Sequence, residues 1–304
     1  MSERSPQEWL DTVGAMRVWR RGGRRAPHKP LLLLWAIGRL QGGQTNSVSY
    51  EEAEEPLSIL LDEFGPATRS SPSFPFARLA RDGLWQARSA GGESVQASDD
   101  TPGRLRAIGA IGMLDPNFAN ALASDPDLLS AVVHRILDDQ FPPTIQSDVL
   151  AQVGISLEGD AVVGGPVNDV RRRAPGFRDQ VLMAYERACA MCGFDSQLSA
   201  GSPGLEAAHV RWFNYDGPDD VSNGLCLCSI HHKLFDRGVL GLTHERTITV
   251  SQRYTGRSEA ATSMVMSLSG KDLATPQPGF ESISEDHIEW HSDQVFKSPA
   301  RIAS

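Results

Sequence analysis

The stretch that decides the fold is residues 205–240, which read LEAAHVRWFNYDGPDDVSNGLCLCSIHHKLFDRGVL. The pattern predicts a strand that ends at His209, a strand-like apolar run around Leu225, and a short helix that carries His232. Asn223 lies fourteen residues after His209 and nine before His232. For either histidine alone, a structural role is the more usual explanation, so the meaning of this pattern depends on the residues around it.

The four cysteines lie within and just before this stretch, which favours metal binding over disulfides in a cytosolic protein. Cys189 and Cys192 form a CxxC knuckle, and Cys228 and His231 form a second pair. Four nitrogen and sulfur ligands in two pairs suit a closed, tetrahedral structural zinc site. Four buried cysteines without a metal are the alternative. Cys226 is the spare thiol, expected in the core but able to replace a ligand.

Residues 185–245 resemble the HNH (ββα-metal) endonuclease family, with Asn223, Cys228, His231 and His232 at the family's spacing. The resemblance implies phosphodiester hydrolysis with His209 as the general base, a role that suits a side chain titrating near neutrality. It also implies that Asn223 holds the imidazole of His209. His232 would bind a catalytic divalent ion, Mg²⁺ or Mn²⁺, that contacts the scissile phosphate and the leaving 3′ oxygen.

One position departs from the family pattern. Many relatives carry a metal-binding aspartate or histidine directly before the general base, where this chain has Ala208. Asp236 can supply an oxygen ligand because residues i and i+4 share a helix face, or it can cap the following turn. Glu206 either supports the site or is a surface strand residue. Asp219, like its neighbour at 220, is expected to be a turn residue.

Charge is unevenly distributed along a chain whose net charge is −9. Residues 17–39 hold seven arginines and lysines and no acid, including Arg24, Arg25 and Lys29, whereas residues 51–63 hold six acids and no base. The basic run is either a solvated face or a nucleic-acid contact. A nuclease that follows it in the chain favours the second interpretation.

The N-terminal half is predicted to be mainly helical. Helices are expected at residues 7–20, 31–40, 50–64 (divided at Pro56) and 125–140, and a small hairpin at residues 84–97. The order of helices and hairpin is typical of a winged helix. Donors from His28 and Lys29 near a helix start can meet phosphate oxygens. The other interpretation is a basic surface beside a core helix.

The segments PHKPLLLLWAIGRL at 27–40, FPFARL at 74–79 and DGLW at 82–85 resemble the sulfur-binding domains of phosphorothioate-dependent HNH restriction endonucleases. The resemblance covers about residues 8–150 and implies a shallow apolar pocket for the sulfur of a DNA phosphorothioate. His28 and Lys29 correspond to the basic residues around the pocket, and Phe74 and Pro75 to its walls. Phe74 stands where tyrosine is common, and Arg78 stands where a small residue is usual. A turn that buries an aromatic residue is the structural alternative for residues 74–76.

These patterns predict an α+β protein with a sulfur-binding, DNA-reading domain at 1–152, a linker at 153–175, and an HNH domain with a C-terminal extension at 176–304. The expected function is cleavage of double-stranded DNA that carries phosphorothioates, performed by a homodimer. One alternative is an HNH endonuclease that acts on another modification, such as methylated DNA. The other is a zinc-knuckle protein that binds DNA without cutting it. No membrane span and no secretory leader are predicted, so a cytoplasmic location is expected.

Overall fold

The computed structural model describes residues 4–18, 23–67, 70–157, 176–199 and 201–302. The chain divides into two compact units. The first comprises residues 1–21 and 25–168, and the second comprises residues 22–24 and 169–304. Arg20, Arg21 and most of the predicted linker, including the arginines at 171–173, lie outside the described residues.

Besides a short 3₁₀ helix (Leu79–Asp82), the described residues of the first unit form eight α-helices and three short strands. In chain order they are α1 (Pro6–Gly14), α2 (His28–Gln41), β1 (Ser47–Ser49), α3 (Tyr50–Phe64), α4 (Ser73–Arg78), β2 (Trp85–Arg88), α5 (Pro102–Ala107), β3 (Ile111–Leu114), α6 (Pro116–Ser124), α7 (Pro126–Gln140) and α8 (Pro143–Val153). Leu31, Leu32, Leu33 and Leu34 are all buried, so α2 is the central helix of the core.

The three strands form one antiparallel sheet in the order β1–β3–β2. The run α2, β1, α3, α4, β2, β3 with this sheet order is that of a winged helix, with α5 inserted between β2 and β3. The sequence predicted this type of fold from a different hairpin, and it revealed neither α4 nor β3. The hairpin predicted at residues 84–97 does not form a sheet of its own. Strand β2 pairs with β3 instead, and one isolated bridge joins Arg88 to Ser94. In this topology α4 occupies the place of the recognition helix.

Two predicted helix limits are wrong. α1 ends at Gly14 instead of residue 20, because the Ala15 and Met16 amides close the last turn onto Asp11 and Val13. α3 is not divided at Pro56 but continues to Phe64. Proline removes one backbone hydrogen bond inside a helix. The buried Leu57, Leu60 and Leu61 on the following turns keep the helix packed despite that loss.

The second unit is centred on a ββα element. Strands β4 (Leu205–His209) and β5 (Gly224–Cys228) pair antiparallel, with Leu205 opposite Cys228 and His209 opposite Gly224. Helix α10 (Ser229–Asp236) follows β5 directly and packs on both strands. Helix α9 (Phe177–Ala184) precedes the pair. The residues that the sequence singled out therefore share one small element.

The C-terminal residues complete this unit rather than forming a separate tail. They comprise β6 (Leu240–Leu242), β7 (Ile248–Val250), α11 (Glu259–Met264) and α12 (Glu285–Gln294). The His291 ring of α12 stacks on Phe235 of α10, with centroids 3.7 Å apart, and its Nε2 bonds to the Phe235 carbonyl at 3.1 Å. The predicted α+β class, with a mainly helical domain followed by a unit that contains a ββα element, is confirmed. Among the described residues, no helix is long and apolar enough to cross a bilayer.

Candidate active site and metal centre

Four predicted zinc ligands come together beside α10. The ligating atoms of Cys189, Cys192, Cys228 and His231 all lie within 4.8 Å of one another. Nδ1 of His231 is 3.5 Å from Sγ of Cys189 and 3.2 Å from Sγ of Cys228. A closed set of three thiolates and one imidazole fits a tetrahedral structural ion. The cluster can therefore brace the ββα element from outside its catalytic face.

The hydrogen bonds of His231 decide which of its nitrogens faces the cluster. The backbone carbonyl of Met264 accepts a hydrogen bond from Nε2 at 2.8 Å. A ring that donates from Nε2 keeps its lone pair on Nδ1, the atom beside the sulfurs. Met264 belongs to α11, so the C-terminal extension takes part in orienting a ligand of the cluster.

The thiols of this region are not equivalent. A hydrogen bond from the Cys228 thiol lowers the pKa of Cys189 to about 3, which favours a thiolate in the cluster. Burial raises the pKa of Cys226 to about 12. Cys226 pairs with Ala207 in the sheet and is fully buried. It is the core residue expected from the sequence, and it is not one of the four convergent ligands.

His209 lies at the end of β4 with its ring held on two sides. Nε2 is 2.8 Å from Oδ1 of Asp219, and both side chains are buried. The ring stacks on Phe177 at a centroid distance of 4.4 Å. This close packing depends on Gly224 opposite, since a Cβ there would lie 2.4 Å from Val181 and 3.1 Å from Phe177.

Asp219 contacts His209, which the sequence did not reveal, because the prediction treats Asp219 as part of a turn. Its neighbour Asp220 does have that role, since it accepts a hydrogen bond from the Ser222 amide. The carboxylate of Asp219 instead accepts from His209, which leaves the lone pair of the ring on Nδ1. Two consecutive aspartates at 219 and 220 are more than a turn needs, and this was the only feature of the sequence that pointed to a second role.

Asn223 does not hold the His209 imidazole directly, so that expectation is corrected. Its side-chain amide binds backbone groups: Oδ1 accepts from the Arg211 amide at 2.8 Å, and Nδ2 donates to the carbonyls of Arg211 and Pro218 at 3.0 and 2.9 Å. Asn223 is fully buried. It therefore fastens both ends of the loop that joins His209 to Asp219 and acts on the imidazole through that loop.

His232 lies between two carboxylates. Nδ1 is 2.6 Å from Oε2 of Glu206, and Nε2 is 3.3 Å from Oδ2 of Asp236. The other oxygen of Asp236 accepts a hydrogen bond from Nε1 of Trp212 at 2.9 Å. Glu206 also accepts from the Ser229 hydroxyl at 2.6 Å. Asp236 thus lies beside His232, as the helical i and i+4 spacing predicted, and it faces Nε2 of the ring.

Electrostatics favour a cation at this place. Burial alone would lower the pKa of His232, but Asp236 and Glu206 outweigh it and raise that pKa to about 9. The hydrogen bond from His232 lowers the pKa of Glu206. Imidazole nitrogen and carboxylate oxygen are suitable donors for divalent ions. His232 and Asp236 therefore fit a divalent ion, while Ala208 is fully buried and offers no ligand.

In the first unit, two expected DNA-contacting residues meet on the exposed side of α4. Phe74 is 40% exposed, and the guanidinium of Arg78 lies 5.3 Å from its ring centroid. Arg78 also pairs with Asp100. Pro75 is buried, as is Phe76, whose carbonyl accepts from Trp85 at 3.0 Å. The exposed surface of this segment is therefore Phe74 with Arg78, and the buried turn is Pro75 with Phe76.

The basic segment differs from its sequence-based description. Arg25 is 3% exposed and donates to the Phe64 carbonyl, so it is part of the interior, and only Arg24 of this pair is exposed. Lys29 pairs with Asp82 at 2.5 Å. Burial, and then Arg25, lower the pKa of His28 to about 4. His28 is therefore neutral near pH 7. Of the predicted basic pair, His28 and Lys29, only Lys29 is charged, and Asp82 neutralises that charge.

Comparison with known proteins gives two family matches. Residues 6–158, half of the chain, match the family described as ScoMcrA-like, DNA sulfur-binding domain. Residues 189–243 match the family described as HNH endonuclease. No curated protein matches the chain.

Three solved structures are similar to parts of the chain. The sulfur binding domain of SprMcrA complexed with phosphorothioated DNA is 23% identical, with a TM-score of 0.43, over 51% of this chain and 97% of that one. The corresponding ScoMcrA complex is 24% identical, with a TM-score of 0.40, over 48% and 94%. The modification dependent TagI restriction endonuclease is 22% identical, with a TM-score of 0.32, over 46% and 41%.

Proposed function

We propose, from the premise that the chain belongs to the ScoMcrA-like DNA sulfur-binding domain family, that it is a restriction endonuclease that binds phosphorothioated double-stranded DNA and hydrolyses phosphodiester bonds nearby. One observation carries this proposal. The chain joins a sulfur-binding domain to an HNH unit in which His209 and His232 each have a carboxylate partner. A module that only bound DNA would have no use for that pair.

The base of the reaction is His209. Because its Nε2 faces Asp219, Nδ1 is the nitrogen that takes the proton from the attacking water. The Asp219 carboxylate then stabilises the imidazolium that forms. Asn223 contributes by fixing the backbone of Arg211 and Pro218. In this way it sets the distance between the His209 ring and the Asp219 carboxylate.

The metal requirements divide between two places. Zinc at the Cys189, Cys192, Cys228 and His231 cluster would be structural. Mg²⁺ or Mn²⁺ held by His232 and Asp236 would neutralise charge on the scissile phosphate and assist the leaving 3′ oxygen. His232 contributes a buried imidazole, and Asp236 a carboxylate oriented by Trp212.

Recognition of the modification is assigned to the exposed side of α4. Sulfur is larger, more polarizable and less well hydrated than the oxygen that it replaces, so an apolar surface costs a phosphorothioate less desolvation. Phe74 offers such a surface in the position of a recognition helix. Arg78 lies beside it and can exchange Asp100 for the DNA backbone. Arg24, His28 and Lys29 are the remaining candidates for backbone contacts.

Two further features belong to the proposal, the oligomeric state and the distance of the cut from the modification. The chain contains one HNH site. Cutting both strands requires two such sites, so we expect a homodimer on the DNA. The segment at 153–175 would set how far from the modification the cut falls. A double-strand cutting rate that rises more steeply than linearly with protein concentration would support dimerisation. A strictly linear dependence would contradict it.

A binding assay tests the target. Mobility shift with matched normal, phosphorothioated and methylated duplexes should show clear preference for the phosphorothioated one. The His209→Ala variant should retain that preference and lose cleavage. Equal affinity for the normal and phosphorothioated duplexes would refute the sulfur-reading assignment, and preference for the methylated duplex would replace it.

A further inference from the structure

We infer that Glu206 is the positioning residue of the catalytic metal site: it fixes the proton of His232 on Nδ1 and so presents Nε2, together with Asp236, to the divalent ion. This inference rests on the proposed nuclease function, and it assigns a role to the residue that shares a strand face with Ala208. The starting point is the pair of unequal contacts around one imidazole ring.

The two contacts differ in length by 0.7 Å. The Glu206 contact to Nδ1, at 2.6 Å, is that of a short charge-assisted hydrogen bond, whereas Asp236 lies 3.3 Å from Nε2. Only the first is short enough for a strong hydrogen bond. Nδ1 therefore donates to Glu206, and Nε2 is the nitrogen whose lone pair can point towards an ion.

The Asp236 contact has the dimensions of a ligand pair. Two adjacent donors on one octahedral Mg²⁺ lie about 3 Å apart, because each is about 2.1 Å from the ion. Nε2 of His232 and Oδ2 of Asp236 are 3.3 Å apart. Trp212 occupies the second oxygen of Asp236, which directs Oδ2 towards the ring. Both donors are therefore oriented before an ion arrives.

The position of Glu206 in the sheet explains why it does not serve as a ligand itself. Glu206 and Ala208 point to the same face of β4, because side chains alternate along a strand. Glu206 lies one step further from the base, where the Ser229 hydroxyl holds its second oxygen. A carboxylate that accepts the second ring N–H of a metal-binding histidine raises the basicity of that ligand.

Metal binding by the zinc-loaded protein separates this role from a structural one. We expect Glu206→Ala to weaken Mn²⁺ affinity about 10- to 100-fold in a spectroscopic titration. Glu206→Gln, which keeps a hydrogen-bond acceptor without its charge, should give a smaller loss. Glu259→Ala removes an exposed acid from the same unit and should leave affinity unchanged. Equal affinity in the wild type and both Glu206 variants would overturn the proposal.

The ring nitrogens of His232 provide a readout that does not depend on cleavage. With ¹⁵N-labelled histidine and saturating Mg²⁺, the wild type should carry its proton on Nδ1 and none on Nε2. In Glu206→Ala, the Nδ1 proton should lose its protection from exchange with water. A proton on Nε2 with Mg²⁺ on Nδ1, or a ring that Mg²⁺ leaves unchanged, would overturn the proposal. Cleavage of phosphorothioated DNA in the same sample would then show that the proposed function survives it.

Discussion

His231 and His232 are neighbours on α10, yet they present opposite nitrogens to their sites. His231 donates from Nε2 to the Met264 carbonyl and turns Nδ1 to the cysteines. His232 donates from Nδ1 to Glu206 and turns Nε2 to Asp236. In each case a group outside the proposed ligand set selects the ring nitrogen that would bind the ion. One helix can therefore present a histidine to each of the two proposed metal sites.

The largest effect is expected from replacing His231, the histidine of the proposed zinc cluster. His231→Ala should lower the free energy of unfolding by several kcal/mol and abolish cleavage, because the cluster loses a ligand and structural zinc is coupled to folding. Thermal unfolding together with the zinc content of the purified variant measures this. Full zinc content and an unchanged melting temperature would contradict a structural role for His231.

His232→Ala is the matched variant on the adjacent residue. It should retain zinc and fold while cleavage falls at least about 100-fold, since the catalytic ion loses a ligand. The readout is kcat on a phosphorothioated duplex under saturating Mg²⁺ or Mn²⁺. If His232→Ala lost zinc as His231→Ala does, the division of roles between the two residues would be wrong.

His28 differs from both of these histidines, because burial and a neighbouring arginine act on its ring. Burial and Arg25 lower the pKa of His28 to about 4, so the unfolded state takes up its proton first as the pH falls. The contribution of His28 to stability is complete above pH 6.5 and is lost between pH 6.5 and 4, by about 3 kcal/mol. Denaturant unfolding of the wild type and of His28→Gln across this range measures it. Parallel pH profiles would contradict the depressed pKa.

Asp219 tests whether a carboxylate governs His209 as Glu206 governs His232. Asp219→Ala should lower kcat about 10- to 100-fold with little change in KM, because the base loses its orientation and the stabilisation of its charged form. Asp220→Ala, which removes the neighbouring acid from the turn, is the control. A similar loss of kcat in both variants would indicate a structural effect of the loop.

The smallest expected effect concerns DNA reading. Phe74→Ala should lower the preference for phosphorothioated over normal DNA about tenfold, since it removes the exposed ring next to Arg78. Ile59→Ala removes a comparably exposed apolar side chain from α3 and is the control. The ratio of the two dissociation constants is the measurement. An unchanged ratio in Phe74→Ala would move sulfur recognition away from α4.

The contacts that could be predicted from the sequence are those between residues a few positions apart in the chain. The CxxC and CxxH pairs bring four ligands together, and the i and i+4 spacing brings Asp236 to His232. These relations are local, so a knuckle or one helical turn is enough to specify them. The predicted hairpin at 84–97 failed for the opposite reason, because β2 pairs with β3, which lies more than twenty residues further along the chain.

Contacts across the fold could not be predicted in this way. Glu206 meets His232 because β4 packs against α10, and Asp219 meets His209 because Asn223 closes the intervening loop. Arg25 belongs to a basic run in the sequence but donates to the end of α3 inside the unit. A run of like charges gives no indication of which members find buried acceptors.

Cleavage of two duplexes identical except for one phosphorothioate tests the central claim most directly. The wild type with Mg²⁺ or Mn²⁺ should cut only the phosphorothioated duplex, near the modification, while His209→Ala binds that duplex and leaves it intact. Equal cutting of both duplexes would contradict sulfur-dependent targeting. Undiminished cutting by His209→Ala would contradict the assignment of the general base.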